Sequence, residues 1–195
     1  MERKKIVLIG AGSAVFTKGL IADFIKSDFG SWEIALCDIN PVILDSVAKL
    51  ARKMVEIRHM EDRIQITAST DRCELLPGAD FVVTTIAVGG RRAWERDVQI
   101  PRKYGIYQPV GDSIMPGGIA RAQRMIPQMI AIAKDIERLC PNAYFFNYSS
   151  KAPAERHCRS ACCQAHVPRA GDPRGGYPQG HQRQHHRSVP WRYLR

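Results

Sequence analysis

A chain of 195 residues, 45% apolar and 25% charged, has room for one ordinary domain with a real core, which excludes a disordered polymer and a pair of large domains. Its formal charge of +10 is uneven: residues 1–149 carry 20 Lys+Arg against 17 Asp+Glu, and residues 150–195 carry 9 against 2. The first part shows no basic stripe interleaved with aromatics, the second no periodicity that would dock in a groove, and the apolar runs are only strand-sized, so neither nucleic acid nor a membrane is an expected partner.

In chain order the sequence predicts a first strand in KKIVLIG (residues 4–10) and a helix over residues 14–26. WEIALCDIN supplies a second strand, and Pro41 then sits where the first turn of a helix tolerates proline, opening a helix to about His59. RIQITAST reads as a third strand, DRCELLPGAD as a short helix and turn, and FVVTTIAV as a buried strand rich in β-branched residues. A charged helix follows Gly89-Gly90 and runs to Tyr104. From Gly117 to Leu139, Ile119, Ile126, Met129, Ile130, Ala133 and Ile136 recur at helical spacing and predict a buried face, with Pro127 expected to kink or restart the helix. AYFFNYS makes a last strand.

This alternation predicts an α/β fold, a Rossmann-like doubly wound parallel sheet with helices on both faces, over residues 1–149. Residues 150–195 hold five prolines, five of the six histidines and no long apolar run, and read as an irregular tail. The six cysteines, three in each part, with no secretory leader ahead of them, point to reduced thiols in a cytoplasm.

Gly10-Ala11-Gly12-Ser13 follows a strand and opens a helix, the context that gives a glycine loop meaning. Gly10 permits a tight turn, Gly12 lets the backbone approach a pyrophosphate, and the first amides of the helix, from Ser13 through Ala14, Val15 and Phe16, face negative charge. The third glycine of the usual fingerprint is replaced by Val15. Asp38 and Asn40 lie just past the second strand, where a carboxylate accepts hydrogen bonds from ribose hydroxyls and repels a 2′-phosphate. These residues predict a dinucleotide site for NAD; a structural turn with a helix-capping acid is the plainer alternative.

Four segments, GAGSAVFTKGL, LCDIN, RKYGIYQPVGDSIMPGGIARAQRMIP and FFNYS, together resemble the NAD-dependent glycoside hydrolases of family 4, over about residues 4–149. Lactate and malate dehydrogenases share the expected fold but lack the KYGIYQPVGDSIMPGG stretch, and they form the rival reading, with a non-catalytic NAD-binding remnant as a third. The resemblance implies transient oxidation of the sugar at C3 by NAD, a divalent metal (manganese) on the resulting ketone, a tyrosine base at C2, elimination of the glycosidic oxygen, and a homo-oligomer. It implies a catalytic role for Asp112, where phospho-glycosidase members carry an acid that strengthens the tyrosine; the alternative is a cap before Pro116-Gly117-Gly118. Asn147 is the substrate residue implied in FFNYS. Trp94 stands where those members place an arginine near the sugar phosphate, which favours an unphosphorylated α-galactoside or α-galacturonide and leaves the ring to stack on a sugar or simply to pack. Arg91 and Arg92 are either partners of a uronate carboxylate or solvated surface charges.

Where the family continues after NYS with Asn-Pro, this chain has Ser150 and Lys151. The family's metal ligands and base tyrosine find no match, and Cys162, Cys163 and His166 lack credible ligand spacing, so no metal site is assigned. The break reads as a change of reading frame, and this chain alone is expected not to turn over sugar.

Overall fold

A computed structural model describes residues 3–27, 30–108, 110 and 114–149. Its five strands are β1 (Lys4–Ile9), β2 (Trp32–Cys37), β3 (Ile64–Ser69), β4 (Phe81–Thr84) and β5 (Tyr144–Asn147); its helices are α1 (Ala14–Lys26), α2 (Pro41–Ile57), α3 (Arg72–Leu75), α4 (Gly90–Arg102) and α5 (Met115–Leu139). The strands lie in the order β3-β2-β1-β4-β5, every pair parallel. The chain thus winds outward from β1 to β3, crosses back, and winds out again through β4 and β5, which is the doubly wound plan. The tail predicted over residues 150–195, with Cys162, Cys163 and His166, lies outside the described residues.

A strand buried on both faces reads as an unbroken apolar run, and β1 does so because alternate side chains enter different cores. Ile6 and Leu8 join Ile34, Leu36, Ile64 and Val83 beneath α1 and α2. Val7 and Ile9 join Ala35, Cys37 and Val82 beneath α3 and α5. Burial pushes the thiols of Cys37 and Cys140 up to about 11, so both behave as small apolar groups at neutral pH. Ile34 is wholly buried in the first cluster; Ile34→Val is expected to cost about 1 kcal/mol, read as a shift of the urea midpoint at unchanged slope.

The start of α2 follows directly from its sequence. Asn40 is the N-cap, its Oδ1 accepting from Val42 N (3.1 Å) and Ile43 N (3.2 Å), and Pro41 fills the position where no amide partner is needed. FVVTTIAV forms a shorter strand than expected. Its register with β1 ends at Thr84; the next residue, Thr85, donates its amide to Ile9 O at 2.8 Å and its Oγ1 hydroxyl to Gly10 O of the glycine loop at 2.8 Å.

The expectations for α5 are met in part. The helix does not restart at Pro127 but continues through it as one element. Pro127 and Gln123 are both exposed, so water can take the carbonyl that proline leaves without a donor. Met129 and Ile136 are buried as expected, together with Met125 and Ile132 in a four-three-four spacing, whereas Ile119 and Ile130 are 62% and 39% exposed. The expected set mixed two stripes of one helix, and only the stripe with the methionines faces the sheet.

Candidate functional site

The loop between β1 and α1 sits at the C-terminal end of the central strand, where strand order reverses and α/β proteins hold ligands. Gly10 has φ +93°, and a Cβ there would lie 2.9 Å from Ile86 N and from the Thr85 carbonyl carbon, so the tight turn needs glycine twice over. Gly10 N and Ala11 N both donate to Cys37 O, at 2.8 and 3.0 Å. Gly12 N donates to Asp38 Oδ2 at 2.7 Å. The carbonyls are held as well: Ala11 O accepts from the buried Thr17 Oγ1 at 2.8 Å, and Gly10 O from Thr85.

Gly12 carries a contact that its sequence does not announce. Its amide donates to Asp38, and a Cβ would lie 2.6 Å from Asp38 Oδ2, so a side chain there would have to displace the carboxylate. The amides left for an anion are those of Ser13 and the first turn of α1. No side chain caps that helix and its first turn has no acidic residue, so the positive end of its dipole stays open. Val15 is 84% exposed, which explains why the third glycine is dispensable: a side chain there meets no strand. Ser13 and Ala14 are exposed too, and Phe16 turns aside to pack on Tyr148, with ring centroids 5.4 Å apart.

Asp38 Oδ1 accepts from Asn40 N at 2.9 Å, so each carboxylate oxygen carries one backbone amide and keeps lone pairs for a further donor. Ile39, Val42 and Ile43 form an exposed apolar lip beside it. The expected cofactor residues are therefore one neighbourhood, with Asn40 serving through its cap on α2.

The expected substrate residues are placed by other contacts. Asn147 Oδ1 accepts from Thr84 Oγ1 and from Ser149 N, both at 2.9 Å, which leaves the amide Nδ2 for a ligand. Trp94, on α4, donates from Nε1 to Val110 O at 2.6 Å and so ties α4 to the segment before α5. Arg91 pairs with Glu95 on the surface at 2.9 Å. Asp112 lies outside the described residues. Pro116-Gly117-Gly118 forms the first turn of α5, with both glycines buried.

A buried network beside this region carried no local signal in the sequence. Asp97 of α4, its side chain 4% exposed, holds Arg124 of α5 through two hydrogen bonds of 2.8 and 2.5 Å. That bonding pushes the Arg124 pKa further up. Gln108 Nε2 donates to Asp97 O at 2.7 Å, and Gln108 Oε1 accepts from Gly117 N at 3.3 Å, capping α5 from a distance. Thr17 and Thr85 were likewise missed as loop anchors: a polar residue on the buried side of α1 was the available clue for Thr17, while Thr85 sat unmarked in a β-branched run. Among the described residues no three His, Cys, Asp or Glu side chains gather closely enough to hold a metal ion. None of the helices described is long and apolar enough to cross a membrane.

The family model described as family 4 glycosyl hydrolase matches residues 5–160. The chain is 43% identical over 157 residues to an α-glucosidase of Erwinia rhapontici, covering 79% of this chain and 34% of that protein. It is 39% identical over 152 residues to an α-galactosidase of Rhizobium meliloti (strain 1021), covering 77% and 31%. Among solved structures, a 6-phospho-α-glucosidase from gut microorganisms in complex with NAD and Mn2+ matches with a TM-score of 0.71 at 23% identity, over 82% of this chain and 36% of that one, a likeness of fold. The chain spans about a third of the length of the relatives it matches. The family match takes in the glycine loop, Asp38, the KYGIYQPVGDSIMPGG stretch and β5, and the chain belongs to family 4 of the glycosyl hydrolases.

Proposed function

We propose that this chain is the NAD-holding part of a family 4 glycosidase acting on unphosphorylated α-glycosides, α-galactosides or α-galacturonides first. The observation that carries the reading is the pairing of an uncapped α1 with the Asp38 carboxylate across Gly12, in a chain of this family. The amides of Ser13, Ala14, Val15 and Phe16 receive the pyrophosphate, and Asp38 accepts from the adenosine ribose hydroxyls through its remaining lone pairs. Its charge disfavours a 2′-phosphate, and the lip of Ile39, Val42 and Ile43 gives an adenine ring apolar cover. NAD, when bound, supplies a reversible two-electron acceptor for the sugar.

At the end of β5, Asn147 offers its Nδ2 to a sugar hydroxyl. Trp94 has its indole N–H engaged, so only its ring face serves a sugar, and its role in packing is the better supported one. Asp112 acts as the acid beside the base tyrosine in this reading. The described residues give a divalent metal no seat, so no step is assigned to one here. A cytoplasmic setting, a homo-oligomeric whole protein and a division at residue 149 belong to the same proposal.

Calorimetry of the intact chain is expected to show NAD binding at one site, with NADP at least tenfold weaker. Absence of heat with NAD at millimolar ligand would remove the cofactor assignment. Hydrolysis of p-nitrophenyl α-galactoside or α-galacturonide with NAD and manganese, by this chain and by a frame-corrected one, tests the substrate class: activity is expected in the corrected chain only.

A further inference from the structure

The three amides of Gly10, Ala11 and Gly12 all end on one place, the last residue of β2 and the one after it. Two go to the Cys37 carbonyl, which is fixed within the sheet; the third goes to a side chain, Asp38, at the surface where a ligand would arrive. That carboxylate is itself locked, because its other oxygen accepts from Asn40 N, next to the cap of α2. Gly12 and Asp38 therefore behave as one unit. A side chain at position 12 would drive the carboxylate out, and loss of an acceptor at position 38 would free the Gly12 amide next to Ser13, the N-cap of α1.

We propose that Asp38 is a positioning residue for the phosphate loop as well as a ribose ligand: by holding the Gly12 amide it sets the pose of residues 12–16 toward any diphosphate at α1. The proposal rests on the nucleotide reading above. It separates from a simple ribose-ligand role because a diphosphate that cannot touch Asp38 still depends on the loop. The charge-assisted bond to Gly12 is of the strong kind, and the amide, with no Cβ beside it, has no other described acceptor. In Asp38→Asn a single carboxamide oxygen faces two N–H donors and its NH2 group opposes one of them, so one of the two bonds is lost.

The test is calorimetry of the intact chain with ADP and with 2′,3′-dideoxy-ADP, which has no ribose hydroxyls. Asp38→Asn is expected to weaken the dideoxy analogue about tenfold and ADP by more. Gly12→Ala, which leaves Asp38 in the chain, is expected to weaken the analogue similarly, and the double variant no more than the stronger single one. Unchanged affinity of Asp38→Asn for the dideoxy analogue, with weaker ADP binding, would make Asp38 a ribose ligand alone and overturn the proposal. Amide exchange gives a readout independent of any nucleotide. The Gly12 amide of the ligand-free wild-type chain is expected to be protected, and to lose protection in Asp38→Asn while the β1 amides keep theirs. Rapid exchange at Gly12 in the folded wild type overturns the proposal, whereas failure of the wild type to bind ADP with Gly12 protected strikes only the nucleotide reading.

Discussion

Gly10→Ala is expected to abolish NAD binding and to lower the melting temperature by roughly 10 °C, from a loss of about 3–4 kcal/mol. Two costs combine. The backbone at Gly10 has φ +93°, a region in which a residue with a Cβ is strained by about 1–3 kcal/mol. The added methyl would also lie 2.9 Å from Ile86 N and the Thr85 carbonyl carbon, which are main-chain atoms and cannot rotate away. Moving them would disturb the bond from Thr85 N to Ile9 O, 2.8 Å, and that from Thr85 Oγ1 to Gly10 O. Thermal denaturation followed by circular dichroism, with NAD titration of whatever folds, checks both parts. A variant that melts within 2 °C of wild type and binds NAD would show the turn to be more adaptable than its geometry states.

The second large effect is expected away from the glycine loop. Asp97→Ala leaves the Arg124 guanidinium, about two-thirds buried, without its bidentate partner, and its Nε is already buried with no hydrogen-bond acceptor. Breaking one side of a buried pair costs about 3–5 kcal/mol, because a charge stays behind unpaired. Replacing both ends, Asp97→Leu with Arg124→Met, is expected to recover most of that loss, since neither charge then needs a partner. Urea unfolding of Asp97→Leu, Arg124→Met and their double gives the coupling directly. Affinity for NAD should change little in Arg124→Met, because α4 and α5 join each other rather than the loop at α1; an equal loss of affinity and stability would contradict that separation.

Much of the fold was legible because it rests on local pattern. α1 was bounded to the residue, the Pro41 start of α2 followed from proline chemistry, and strands β1, β2 and β3 came within a few residues of their observed ends. The errors lie where a third party decides. β4 ends at Thr84, one residue before Thr85, whose amide still bonds Ile9 O while its hydroxyl holds Gly10 O, and the buried face of α5 is chosen by the sheet it packs on from two stripes that look alike in sequence. The site divides in the same way. Gly10 and Asp38 were recognisable from the strand, turn, helix and acid in order. The bond between Asp38 and Gly12 spans 26 residues, and that between Asp97 and Arg124 spans 27. Neither separation leaves a periodic trace, so the function of Gly12 as room for a carboxylate and the bracing of α5 by Gln108 could be read only from coordinates.

The strand order has a consequence for how such a chain is made. β1 pairs on one side with β2, whose partner to Ile6 is Ile34, but on the other side Ile6 meets Phe81. During synthesis from the N-terminus, β1, α1, β2, α2 and β3 can assemble most of the apolar layer beneath α1 and α2, which lacks Val83 until β4 pairs with the other edge of β1. The layer beneath α5 cannot close until Ile132 and Ile136 have been added. Contacts of such long sequence separation form slowly, since the chain between them must be ordered first. Val7, Ile9, Ala35 and Cys37 therefore face solvent or a chaperone for the time the ribosome needs to reach α5, and that interval is when the chain is most prone to aggregate.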